Sequence, residues 1–111
     1  MLQIKAVVRM QIDKEIECIK KAIDNGNIGK ARVCARRGAG LAINYWRGNN
    51  YGDQNISALS QLNWIKDDAS VPDNIKKAAE KLTIKVSGAG HGEISENPFE
   101  DCVTIVEYCL R

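Results

Sequence analysis

An all-α fold, an up-and-down bundle of about five amphipathic helices in one domain, is predicted by three features of this sequence. Apolar residues recur at helical spacing in five separate segments, each bounded by capping or turn residues. No two segments alternate apolar and polar residues in the way that paired strands require, and a lone strand is not stable. The chain has 111 residues, 44% hydrophobic and 27% charged. Those values suit a single globular domain and exclude disordered and collagen-like chains.

The segments follow in order. In residues 2–12, Leu2, Ile4, Ala6, Val8, Met10 and Ile12 alternate as a strand would. Without a partner strand, this stretch reads as an arm or as a helical extension of the next element. Asp13 reads as the N-cap of a first helix, with Ile12 before it as a hydrophobic staple. Ile12, Ile16, Ile19 and Ile23 supply the stripe, and Asp24, Asn25, Gly26 and Asn27 stop it.

A second helix is predicted over 28–46. Ala31, Ala35, Gly38, Ala39 and Ala42 line one side, with Cys34 and Leu41 beside them. Small residues let a neighbouring helix approach closely. Gly38 and Gly40 each cost about 1 kcal/mol relative to Ala in a helix, so packing must support this one. Arg47, Gly48, Asn49 and Asn50, then Tyr51 and Gly52, mark its end.

The third helix is expected over about 56–66, with Leu59, Leu62 and Ile65 inward, Trp64 near its end, and Asp67 and Asp68 closing it. The fourth is expected from about Ser70, with Pro72 and Asp73 in its first turn and a stripe of Ile75, Ala78, Ala79, Leu82 and Val86. The run from Ser87 to Gly92 holds too many glycines to continue it. Asn97 and Pro98 announce the last helix as cap and first residue, with Glu100 and Asp101 complementing its dipole. Phe99, Val103, Val106 and Leu110 form its stripe, with Cys102 and Cys109 alongside.

Charge is unequally divided. Residues 1–56 hold ten Lys/Arg and five Asp/Glu, a balance of +5; residues 57–111 hold six and nine, a balance of −3, and the sum is the net +2 of the chain. So small a total does not imply nucleic-acid binding by itself. The asymmetry fits either a basic binding face or two halves that attract each other, within one chain or between two. No apolar stretch approaches the roughly 20 residues of a membrane helix, and no export signal opens the chain, so a cytoplasmic location without a membrane partner is expected. In a reducing compartment Cys18, Cys34, Cys102 and Cys109 are expected as free thiols behaving as small hydrophobes. Their spacing is not that of a zinc or dithiol motif, so no metal site and no cofactor is expected.

Two groups carry candidate chemistry. Gly88, Gly90 and Gly92 surround His91, the one histidine. Backbone N–H groups of such a loop converge on anions in phosphate-binding nests, and an imidazole is suited to proton transfer near neutral pH. The bland reading is a connection between helices four and five. The second group is Lys30, Arg32, Arg36 and Arg37 on the second helix, with Arg47 near its end. Arg32 and Arg36 share a face, whereas Arg37 is turned by about 100 degrees. Arginine pairs suit phosphate or carboxylate, and Tyr45, Trp46 and Tyr51 add the aromatic rings that nucleic-acid surfaces use. The alternative is a solvated face paired with acids of the other half, with the aromatics in a core or dimer interface.

The order of these elements resembles the HEPN domains (higher eukaryotes and prokaryotes nucleotide-binding). The stretches that carry the likeness are 12–45, IDKEIECIKKAIDNGNIGKARVCARRGAGLAINY, and 71–110. HEPN proteins commonly work as dimers, and many are metal-independent ribonucleases of toxin–antitoxin or defence systems, so the resemblance implies a homodimer and a possible cognate protein partner. Their signature is an Arg, a polar residue, several others and then His at the dimer cleft. The corresponding segment here runs from Lys85 to His91 with five residues between. Lys85 stands where the family has Arg, and Val86 where it has a polar residue. A point charge in place of the planar fork changes how a transition-state phosphate would be held. The expectation is therefore a helical domain that binds RNA or a nucleotide without efficient catalysis, through Arg32, Arg36, Arg37, Gly88 and Gly90. A metal-independent ribonuclease using Lys85 and His91, and a non-catalytic interaction or dimerisation module, are the alternatives.

Overall fold

The first helix begins well before the cap that the sequence offers for it. In the computed structural model, which describes residues 4–48, 57–83 and 97–111, helix α1 spans Ile4–Asp24. The alternating stretch is thus the helical extension, and Asp13 is no cap: it lies mid-helix, its carboxylate 3.4 Å from Nε of Arg9 one turn earlier. Val8 and Ile12, four residues apart, continue the buried line of Ile19 and Ala22, whereas Met10 is exposed. A strand-like alternation and a helical stripe share positions 8 and 12, and packing against a neighbouring helix selects the second. Ile23, predicted inward, is exposed.

The turn after α1 is closed by glycine. Gly26 has φ +74°, Asn27 N–H donates to Ala22 O at 2.8 Å and Gly26 N–H donates to Ile23 O at 3.0 Å. These bonds satisfy carbonyls that the helix end leaves open, in a backbone conformation that favours Gly. The Asn27 side chain then accepts from Lys30 N–H at 3.1 Å, capping α2, Ile28–Trp46.

Helix α2 sits at the centre, against α1, α3 (Ala58–Lys66) and α5 (Pro98–Cys109) and more lightly α4 (Asp73–Thr83). Its buried residues are Ala31, Cys34, Ala35, Gly38, Ala39, Gly40, Ala42 and Ile43. With so few large side chains, contact comes from close backbone approach. A Cβ on Gly40 would lie 2.9 Å from both Cα and Cβ of Ala58, the first residue of α3, Ala58–Lys66. On Gly38 it would lie 3.1 Å from Sγ of Cys102 on α5, Pro98–Cys109, and 3.4 Å from Cβ of Glu15 on α1. The two glycines admit different neighbours, and the packing they allow offsets their helix-breaking cost.

Ser57 caps α3 by accepting from Ser60 N–H at 3.1 Å, which sets the start at Ala58, two residues later than the apolar pattern places it. Helix α4 is Asp73–Thr83, so Ser70 and Pro72 precede it. Ser70 instead donates its N–H and hydroxyl to Asp68, holding that carboxyl below its ordinary range. Pro72 contributes its carbonyl to Ile75 and Lys76 N–H. Asn97 and Pro98 begin α5 as their types predict, Asn97 accepting from Glu100 N–H at 3.0 Å. The buried residues of α5 are Pro98, Cys102, Ile105, Val106 and Cys109, followed by the buried cap Leu110, while the predicted Phe99 and Val103 are half-buried. Leu62, Ile65, Ile75, Ala78, Ala79 and Leu82 complete the core from α3 and α4. The fold is an all-α bundle with five helices and no strand among the described residues, and none of them is long and apolar enough to cross a membrane. Ile56 and Val86 lie outside the described residues.

Candidate functional site

The arginines of α2 face partners inside the protein. Arg36 is half-buried and donates from Nε to Leu82 O at 2.8 Å, in the last turn of α4. That carbonyl lies where the helix leaves acceptors without intrahelical donors. Burial lowers the Arg36 pKa from its ordinary value, and the neighbouring charge of Arg32 lowers it further. Arg37, exposed and turned to another side, places Nη2 3.2 Å from Oε1 of Glu15 on α1 and 3.5 Å from Sγ of Cys34. Arg32 is half-buried and has an interaction partner of its own. Two of the three arginines in the predicted binding set thus link α2 to α4 and to α1. Lys85, Gly88, Gly90 and His91 lie outside the described residues, and so does Tyr51.

The aromatic residues of the basic stretch are also turned to neighbours. Trp46, half-buried, has its ring centroid 5.8 Å from that of Trp64 on α3 and 5.5 Å from that of Tyr108 on α5. Tyr45 packs against the core. The Arg47 guanidinium stands over the Trp64 ring, 4.2 Å from its centroid, and Nη1 donates to Oε1 of Gln61 at 3.0 Å. Gln61 is buried and donates in turn to Oδ1 of Asn44 at 3.1 Å. Ring-to-ring and cation–π contacts fasten the end of α2 to α3 and α5, so Trp46 is part of a structural cluster.

A cleft with no counterpart among the residues predicted from sequence opens beside the α1–α2 turn. It has a volume of about 480 Å³ and is lined by Lys14, Glu17, Cys18, Lys21 and Ala22 of α1, Asn25 and Asn27 of the turn, and Lys30 of α2. The α1 members recur at three- and four-residue steps, which puts them on one helix face. Lys14, Lys21 and Lys30 outnumber the single carboxylate of Glu17, so the cleft is cationic. The spacing of Lys14, Cys18 and Lys21 was the available signal. Charged residues at such steps are also what the solvated side of any amphipathic helix carries, so the spacing alone does not mark a cleft.

The cysteines divide into two pairs. Cys18 and Cys34 are joined as a disulfide between α1 and α2, which corrects the expectation of four free thiols. Their separation in sequence matches no motif; the helix–turn–helix hairpin brings them together. Cys102 and Cys109 are free and buried. Burial, and then the nearby Glu15 carboxylate, pushes the Cys102 thiol up to about 12. Burial pushes that of Cys109 up to about 12. Among the described residues, Glu15, Cys18 and Cys34 form the one group of three whose potential ligand atoms lie within 4.8 Å of one another. With the two sulfurs bonded to each other, they are not free to hold an ion as thiolates. No protein-family model, curated protein or solved structure matches this chain.

Proposed function

We propose that the protein is a HEPN-like helical binding module that takes a phosphate-bearing ligand, RNA or a nucleotide, without efficient catalysis. The observation that carries this reading is the cationic cleft between α1 and the start of α2. Three lysines from two helices meet there with two asparagines, and the cleft is of a size that accommodates small ligands. Lysine ammonium groups attract phosphate oxygens as point charges, with a salt-dependent, sequence-independent affinity. Because Arg36 is held by Leu82 O and Arg37 is paired with Glu15, the ligand-facing charge is assigned first to Lys14, Lys21 and Lys30. The order of the five helices, with a central helix of small residues, supports the HEPN-like part of the reading.

The test measures binding of a mixed-sequence RNA and of ATP at two salt concentrations, in chelator, with RNA integrity followed in parallel. For RNA, each contacted phosphate contributes about −0.7 to the slope of log affinity against log salt. The combined Lys14→Ala, Lys21→Ala and Lys30→Ala variant is expected to weaken binding at least tenfold, on the order expected for lost phosphate contacts, and to flatten that slope. Unchanged affinity in the triple variant overturns the cleft as the site. RNA cleavage by the wild type that disappears in His91→Ala would instead establish a ribonuclease.

Homodimerisation, which the HEPN resemblance implies, is the second part of this proposal. Light scattering across a hundredfold concentration range, about the span that separates a weak dimer from its monomer, is expected to show mass rising with concentration. A constant monomer mass rejects the dimer.

A further inference from the structure

We propose that the Cys18–Cys34 disulfide is a thiol–disulfide exchange site for anionic low-mass thiols, in which Cys18 is the sulfur attacked and Cys34 the sulfur that leaves. The proposal draws on the cleft that carries the reading above, but needs only its positive charge and not a phosphate ligand.

Access decides which sulfur reacts. Cys18 is half-buried and lines the cleft, whereas Cys34 is fully buried on α2. An incoming thiolate therefore reaches Cys18 and not Cys34. Exchange also depends on how well the departing thiolate is stabilised. Nη2 of Arg37, one turn beyond Cys34 on the same helix, lies 3.5 Å from its Sγ. That guanidinium is held in place by Oε1 of Glu15 at 3.2 Å, which also tempers its charge. Negative charge appearing on Cys34 thus meets a positioned cation, opposed in part by the Glu15 carboxylate, which has an oxygen within 4.8 Å of both sulfurs. On the approach side, Lys14, Lys21 and Lys30 concentrate anions and favour the thiolate form of the attacking group, with Glu17 opposing them.

The reaction balances as two successive displacements. A thiolate, R–S⁻, attacks Sγ of Cys18; a new S–S bond forms, the Cys18–Cys34 bond breaks, and its electron pair leaves on Cys34, which then takes a proton. A second R–S⁻ attacks the R sulfur of the mixed disulfide and releases Cys18 as a thiolate, which is protonated in turn. Two thiols are oxidised to R–S–S–R, and the protein disulfide gains two electrons. The same steps run in reverse with R–S–S–R as oxidant. Cys102 and Cys109 take no part, being buried on α5 away from the cleft lining.

The experiment uses the full chain, with glutathione as the anionic thiol and cysteamine as the cationic one. Each rate of reduction is followed by acid quench, differential alkylation and peptide mass spectrometry, and is divided by the rate of the same thiol on a short unstructured disulfide peptide. Glutathione is expected to be favoured over cysteamine by about tenfold, the lower end of electrostatic rate enhancement. Lys14→Glu, Lys21→Glu and Lys30→Glu together are expected to reverse the preference. Cys34→Ala treated with oxidised glutathione is expected to carry the adduct on Cys18, while Cys18→Ala carries none on Cys34. Arg37→Ala is expected to slow both thiols alike, with partial recovery in Arg37→Lys. Far-UV circular dichroism of each variant secures the comparison, and the two-thiol rate ratio within one protein is independent of its stability. The proposal is overturned by an adduct on Cys34, by equal normalised rates for the two thiols, or by Cys18 and Cys34 remaining as thiols, free or zinc-bound, in wild type treated with oxidised glutathione. A glutathione preference without RNA or ATP binding supports the exchange site and rejects the phosphate reading alone. RNA binding with no charge preference among thiols does the opposite.

Discussion

Cys18 and Cys34 join two helices beside a charged cleft, whereas Cys102 and Cys109 share the buried face of one helix, α5, seven residues apart. All four come from amphipathic helical segments, and nothing in their immediate sequence context separates them. The first pair meets because the α1–α2 turn folds one helix back on the other, and it has Arg37 and the cleft lysines for company. The second pair is buried with no neighbouring cation among the described residues, and burial, with the Glu15 carboxylate near Cys102, keeps each thiol protonated and without a sulfur partner. Cysteine chemistry in this molecule is decided by access and by neighbouring charge, not by the residue type.

The largest effect that bears on this contrast is expected from opening the disulfide. Its ends are 16 residues apart, and constraining a loop of that size contributes about 3 kcal/mol in the chain-entropy view. Urea unfolding with and without reductant is expected to differ by that order. Cys18→Ala with Cys34→Ala should show the lower stability and no response to reductant. A wild type equally stable in both conditions would erase the distinction between the pairs.

A smaller effect is expected from alkali. An unfolded thiol ionises near about pH 8.5, while those of Cys102 and Cys109 are pushed up to about 12. The unfolded state therefore releases protons that the native state retains, and stability falls as pH rises. The contribution is intact well below about pH 8.5, has dropped by about 1.4 kcal/mol per thiol at pH 9.5, and continues to fall towards 12. Unfolding free energies at pH 7.5 and 9.5 measure it, and Cys102→Ala with Cys109→Ala is expected to remove it. If that double variant keeps the full alkaline loss, the α5 thiols are not the buried pair described here.

The smallest effect concerns one contact. Gly38→Ala alone sets a methyl 3.1 Å from Cys102 Sγ, so crowding opposes the gain of about 1 kcal/mol in helix propensity. With Cys102→Ala the sulfur is gone and the gain is released. A double-mutant cycle should give a favourable coupling of about 0.5–1 kcal/mol. Additive single effects would mean that α2 and α5 do not touch at this point.

How much was legible follows from these particulars. The second helix could be read to both ends, because Asn27 and Arg47-Gly48 punctuate a run whose small residues all serve packing. The last helix could be started from Asn97 and Pro98. The start of α1 could not, because the alternation of residues 2–12 is compatible with two periodicities and only a partner helix chooses between them. Nor could the fates of the arginines. Arg36 and Arg37 adjoin in sequence, yet one caps α4 and the other meets Glu15, since a step of 100 degrees per residue sends neighbours to different helices.

The all-α class, the position of four of the five helices to within a few residues and the need for close packing around Gly38 and Gly40 can all be read along the chain. These are properties of local periodicity, capping and side-chain size, which act within a few residues along the chain. Which cysteines pair, which basic residues hold the bundle together and which line a cleft is settled by how the helices pack. Each of those depends on residues far apart in sequence that are brought within a few ångströms by helix packing, and no local pattern encodes such a meeting.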